Sequence, residues 1–187
     1  MSKQIQYPAT HITESAGCVL FHLSAQKICL LNAKKRNGDV ELLIPKGRRN
    51  LNESRRDAAI RETTEETSYK CSLYPVKMGS RLTLAEDDED FRDSVRLHEN
   101  CTESFYMQLR NIGRKIEERA KIIWWFIAQV DEADYEKKQL EGWNGEVKEN
   151  VKIEWLSFED AVEELTYETD SAVILAAINL VKKQQTG

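Results

Sequence analysis

The chain of 187 residues carries 27 Lys and Arg against 32 Asp and Glu, a formal net charge of −5, with 41% hydrophobic and 32% charged residues. That is enough for one domain with a real core, and the acidic balance speaks against a general nucleic-acid coat while allowing a local basic patch. The longest apolar runs are far too short to span a bilayer.

Residues 1–13 read as a loose lead-in without the apolar centre of a signal peptide. Residues 14–23 (ESAGCVLFHL) read as a strand, and 27–33 (KICLLNA) as its hairpin partner. Asn37-Gly38 is a tight-turn signal, and 40–44 (VELLI) is a third short strand leading into Pro45. A loop from Gly47 then runs into a helix over 54–67, free of Gly and Pro, with Asn52 or Ser54 to cap it and Glu53 and Asp57 at the positive end of its dipole.

Residues 69–78 look strand-like despite Pro75, with 79–84 as an irregular extension, and 85–100 (AEDDEDFRDSVRLHEN) as a charged loop insertion, either solvated or a lid beside a site. Two core strands follow at 104–112 and 121–130, separated by the polar stretch 113–119. Trp124 and Trp125 fall on opposite faces of the second strand. An exposed Trp there could stack on a base, though core packing is the commoner use. Residues 132–142 are polar and helical, 142–150 a loop carrying Trp143, Glu146 and Glu149, and 152–156 the last strand. Ser157 and Asp160 form a capping-box pattern for a helix over 157–165, and 170–183 (DSAVILAAINLVKK) is an amphipathic C-terminal helix. Strands on either side of a central helix, then C-terminal helices, indicate an α/β sandwich around a mixed sheet, with 14–187 as one domain. Cys18, Cys29, Cys71 and Cys101 lack the paired spacing of a zinc or thiol redox motif. The expectation is a reducing, cytoplasmic setting, although a secreted chain stripped of its signal would read the same.

At about 100° per residue, Glu62, Glu65 and Glu66 share one stripe of the central helix. Like charges at these spacings cost ~0.2–0.5 kcal/mol per pair in water, and more when partly buried. A hard divalent ion, Mg²⁺ or Mn²⁺, removes that cost, takes oxygen ligands, bridges phosphates and activates water for attack on phosphorus. A Glu-rich face alone is more often simply solvated. The full spacing changes the reading: Gly47, Glu53, Arg61-Glu62 and Glu65-Glu66 fix six positions, a coincidence on the order of one in 10⁵ by chance.

On those residues, the stretch 47–69 resembles the Nudix box, the signature of hydrolases that cleave a nucleoside diphosphate linked to another moiety, and related diphosphates. Two positions depart from it. Thr63 stands where the family prefers an aliphatic side chain, and Ser68 replaces the usual glycine after the helix, where a left-handed backbone costs a Ser about 1 kcal/mol. The resemblance implies an α/β/α sandwich, Glu62 and Glu66 as principal metal ligands, Glu65 as a further ligand or part of the base, and the Gly47 carbonyl completing the coordination. It implies that Glu53 pairs with Arg61, which orients the carboxylates, and that two or more Mg²⁺ support attack by water on a diphosphate bridge. A further carboxylate from late in the chain is expected; Glu149 and Glu146 are the candidates, with ordinary loop charges an equal alternative.

Lys46, Arg48, Arg49, Arg55 and Arg56 surround the acidic helix and suit a ligand with many phosphates, although Arg55 and Arg56 serve equally well to balance helix charge. The Pro-Lys-Gly-Arg-Arg approach at 45–49 is similar to the diphosphoinositol polyphosphate and diadenosine polyphosphate branch of the family. This implies a small-molecule polyphosphate substrate, diphosphoinositol polyphosphates ahead of dinucleoside polyphosphates. A capped RNA would call for an extended basic groove with aromatic platforms, which the acidic composition opposes. A non-catalytic phosphate sensor would not need all three helix glutamates, and no feature points to a protein partner. His11, His22 and His98 are dispersed, and His22 reads as a packed strand residue.

Overall fold

The computed structural model describes residues 5–83, 94–112 and 119–186. After a 3₁₀ turn at Ala9–His11 come β1 (Ile12–His22), β2 (Lys27–Lys34), β3 (Val40–Leu43), β4 (Lys46–Arg48) and α1 (Arg55–Thr67). Next are β5 (Cys71–Leu73), β6 (Val76–Ser80), β7 (Arg96–Cys101), β8 (Tyr106–Asn111) and β9 (Ala120–Val130). The chain ends with α2 (Glu132–Leu140), β10 (Glu146–Lys148), β11 (Val151–Ser157), α3 (Phe158–Glu163) and α4 (Glu168–Thr186).

Among the described residues, nine strands form one mixed sheet with the central order β10-β11-β2-β1-β9-β5. Its two long strands, β1 and β9, lie side by side in parallel from Ile12↔Ala120 to Phe21↔Gln129, and the other pairings are antiparallel. On the far side of β1 the partner changes along its length. Leu20 to His22 pair with β2, whereas Ser15 to Gly17 pair with β4. The outer edge of β9 is shared in the same way, β8 along its first half and β5 at its end.

Side chains alternate across a strand, so each face of this sheet has its own apolar cluster. Val19, Phe21, Ile123, Trp125 and Ile127 meet Phe158 of α3 and Val173, Ile174, Ile178 and Val181 of α4 on one face. Cys18, Leu20, Phe126 and Ala128 meet Ala58 and Ala59 of α1, with Tyr135 of α2 packed against them, on the other. The result is the expected α/β/α sandwich. Trp125 is fully buried while Trp124 packs against the α1 face, so the two tryptophans do divide between the faces.

The structure differs from expectation in four places. Gly47 and Arg48, expected in a loop, belong to β4, which pairs with β1. The run 69–78 is two strands: β5 pairs with β9, whereas β6 leaves to form a separate two-stranded sheet with β7. Pro75, lacking a donor, sits at the break. The charged insertion expected over 85–100 falls partly outside the described residues (84–93), and its end belongs to β7. That strand is at most half-buried, so charged residues occupy it without betraying it by an apolar pattern. The polar stretch 113–119 lies outside the described residues up to 118. In the expected loop 142–150, Glu146–Lys148 form a short strand on β11.

Candidate functional site

Helix α1 starts where Ser54 Oγ accepts the Asp57 amide at 3.1 Å, with Asp57 in the first turn. It ends at Ser68, whose φ of 60° is the left-handed conformation that glycine adopts freely. The buried side chains of its inner face are small, Ala58, Ala59, Thr63 and Thr67, so the helix axis lies close to the sheet. This brings its acidic stripe against the backbone of β4.

Three contacts make that seam. The Lys46 amide donates to Glu66 Oε2 at 2.8 Å. Gly47 faces the Glu62 carboxylate so closely that a Cβ there would collide with it. The Arg48 carbonyl accepts from Arg61 Nη2 at 3.0 Å. Arg61 is the organising cation of the stripe. Its Nη1 donates to Glu62 Oε1 at 2.7 Å and to Glu65 Oε2 at 3.2 Å, while Nε and Nη2 grip Glu53 Oε1 and Oε2 at 2.7 and 2.9 Å. Glu53 in turn accepts the Asn50 amide at 2.8 Å. The hydrogen bonds from Arg61 hold the Glu53 carboxyl down at about 2. Glu66 is pushed the other way, above the ordinary carboxylate range, because burial disfavours its charge more than the Lys46 amide and the Lys46 and Lys148 charges favour it. Glu65 is the outermost of the three, its side chain 57% exposed against 14% for Glu62.

These residues fit a hard divalent cation. They offer only oxygen donors, one of them a desolvated carboxylate, and a glycine cradle admits a carboxylate to the strand backbone. As placed, Arg61 and the Lys46 amide hold these carboxylates, and no group of three acidic, His or Cys side chains converges for an ion among the described residues.

The five cations singled out in the sequence divide into two groups. Arg49 and Arg55 both bond Glu14, through Arg49 Nε to Oε2 at 2.9 Å and Arg55 Nε to Oε1 at 2.8 Å, and Arg56 pairs with Glu103. Arg49 also donates to the Glu53 carbonyl at 2.8 Å. The Lys46 and Arg48 side chains form no ion pair with a described residue. Glu14, which sequence reasoning passed over, is a hub: it also accepts Trp124 Nε1 at 2.9 Å. Burial opposes its charge, but Arg55, Trp124 and Arg49 outweigh that and lower its pKa. Arg55 lies over the Trp124 ring, 3.9 Å from its centre.

The late carboxylates are carried by the β10–β11 hairpin. Glu149 is exposed in the turn between β10 and β11, and Glu146 is exposed on β10, its side chain beside Asn144. From that hairpin it is Lys148 whose charge is felt at Glu66. His22 is buried and bonds Glu132 at 2.7 Å on the opposite end of β1, away from this seam.

The NUDIX domain model matches residues 11–178. The chain belongs to the Nudix family. Hydrolysis of phosphorus-containing anhydrides is the class of reaction this membership assigns. Among solved structures, this Nudix chain is similar to a C. elegans Ap4A hydrolase in a binary complex, with 17% identity and a TM-score of 0.52 over 91% of this chain and 98% of that one. It is also similar to the E. coli ORF135 protein, at 14% identity and a TM-score of 0.50, over 93% and 95%. A NUDIX hydrolase from Nitrosomonas europaea aligns at 13% identity and 0.49, over 91% and 88%. At such identities the likeness is one of fold. No curated protein sequence matches the chain.

Proposed function

We propose that this Nudix chain is a divalent-metal-dependent hydrolase that splits a phosphoanhydride bond in a highly phosphorylated small molecule. The observation that carries this reading is the double use of β4. The α1 carboxylates meet its backbone, while Lys46 and Arg48, which form no ion pair with a described residue, extend from it as side chains. Glu62 and Glu66 would hold Mg²⁺ or Mn²⁺, with Glu65 and the Gly47 carbonyl beside them. The ion supplies charge neutralisation on the phosphates and a water of lowered pKa. Arg61, anchored on Glu53, fixes the rotamers of Glu62 and Glu65. Glu65, the most exposed of the three, is placed to take a proton from an attacking water. Lys46 and Arg48 bind and orient phosphate oxygens by charge-assisted hydrogen bonds.

Diphosphoinositol polyphosphates are the preferred substrate. Of the two tryptophans of β9, Trp125 is fully buried and the Trp124 ring carries Arg55, so neither offers a nucleobase an open face. The second reading, a dinucleoside polyphosphate, draws on the fold shared with the C. elegans Ap4A hydrolase. Mg²⁺-dependent phosphate release from inositol pyrophosphates, diadenosine polyphosphates and capped RNA tests both, with Glu65→Gln and Glu66→Gln alongside. Each substitution is expected to lower kcat by about 10² or more. Turnover unaffected by either would refute the roles of these two carboxylates.

A further inference from the structure

Beyond β4, the same face of the sheet holds two cations that no box motif marks. Paired residues on neighbouring strands project to the same face. Lys46 pairs with Gly17 and Arg48 with Ser15 across β4–β1. Lys121 pairs with Thr13 across β1–β9, and with Arg110 across β8–β9. Thr13, Ser15 and Gly17 alternate along β1, so Lys46, Arg48, Lys121 and Arg110 all stand on one face, where the apolar cluster under α4 gives way to charge. Lys121 is half-buried and forms no ion pair with a described residue. Burial, and then the fields of Lys46, Arg110 and Arg48, push its pKa down, with Glu66 opposing them. Beneath these cations lies Ser15 Oγ, fully buried and without a hydrogen-bond partner.

Arg110 is held by a buried network. Its Nη2 donates to Asp170 Oδ1 at 2.6 Å and to Gln108 Oε1 at 3.2 Å. Gln108 donates to Asp170 Oδ1 and to the Thr169 carbonyl, both at 3.0 Å, and accepts Trp125 Nε1 at 3.1 Å. Asp170 is 1% exposed. Asp170 balances the guanidinium, but Lys121 beside it has no ion partner among the described residues and faces three like charges, Lys46, Arg48 and Arg110, an arrangement that an added anion relieves.

We propose that Lys121 and Arg110 extend the Lys46–Arg48 pair into a cradle for the substrate's phosphates beyond the two joined by the scissile bond, with Asp170 and Gln108 as its positioning residues. This rests on the hydrolase reading for its purpose. It sets the substrate class as molecules with at least three phosphates within reach of one another, and makes this face the determinant of that preference.

The test is binding of inorganic tripolyphosphate and orthophosphate by titration calorimetry, in chelator and without divalent metal. Lys121→Met is expected to raise the Kd for tripolyphosphate about tenfold, as for the loss of one charge-assisted contact. Its Kd for orthophosphate should stay within about twofold, and Lys121→Arg should restore the tripolyphosphate value. Asp170→Asn should act in the same direction as Lys121→Met, and also blue-shift or quench Trp125 fluorescence. Unchanged tripolyphosphate binding in Lys121→Met, or an equal loss for both anions, would overturn the cradle. If tripolyphosphate binding depends on Lys121 while the metal-loaded protein cleaves no anhydride, the cradle stands and the hydrolase reading fails.

Discussion

Thr63 lies fully buried between α1 and the sheet, at a place where an aliphatic side chain would pack. Its hydroxyl has work to do there. Cys18 sits where β1 passes from β4 to β2 as partner, and its amide, which neither ladder uses, donates to Thr63 Oγ1 at 3.1 Å. Thr63→Val keeps the shape and strands that donor, so it should lower stability by about 1–3 kcal/mol in urea denaturation while leaving the carboxylate stripe intact. Glu53 gives a pH prediction of definite sign. Its folded pKa, held by Arg61 at about 2, lies below the ordinary 4.5. Its contribution is therefore complete above 4.5 and is lost as pH falls from 4.5 toward about 2. The urea midpoint of the wild type should fall through that window, and that of Glu53→Gln should fall less.

Among the elements, β4 is only three residues long, yet the site depends on it. Gly17, opposite Lys46, has no room for a side chain: a Cβ would strike the Pro45 carbonyl and the Lys46 backbone. Gly17→Ala should cost about 1–3 kcal/mol by overpacking, and should lower activity more than stability because β4 is displaced from α1. Much of this level was legible beforehand. A cap at Asn52 or Ser54 and the Gly- and Pro-free run over 54–67 gave α1 to within a residue, because capping and helix propensity are local. Strands β1, β2, β9 and β11 followed from β-branched and aromatic runs. The end of the insertion was hidden because β7 buries little, and the break at Pro75 because pairing partners are a tertiary matter. In the site, the box residues are close in sequence and could be read together. Glu14, Lys121 and Arg110 come from three different strands, β1, β9 and β8, and only the register of the sheet sets them in a row leading away from β4.

At the scale of the whole molecule, the two faces of the sheet divide the labour. The small-residue face of α1 sets the acidic stripe, while α3 and α4 seal the other face and leave its end charged. No described helix is long and apolar enough to cross a membrane. If the stripe holds a divalent ion, the folded state binds it and the unfolded chain does not. Saturating Mg²⁺ should then stabilise the wild type by about 2.7 kcal/mol at 100 times Kd, raising Tm, with the rise abolished in Glu66→Gln. A Tm indifferent to Mg²⁺ in the wild type would count against the stripe as an ion site. The bond from the Lys46 amide to Glu66 has one more consequence. A carboxylate that turns toward an ion releases that proton to water, so its deuterium uptake should accelerate on loading while the amides of β1 and β9 stay slow. One peptide N–H thus serves as a gauge of occupancy, readable by NMR without any substrate in the tube.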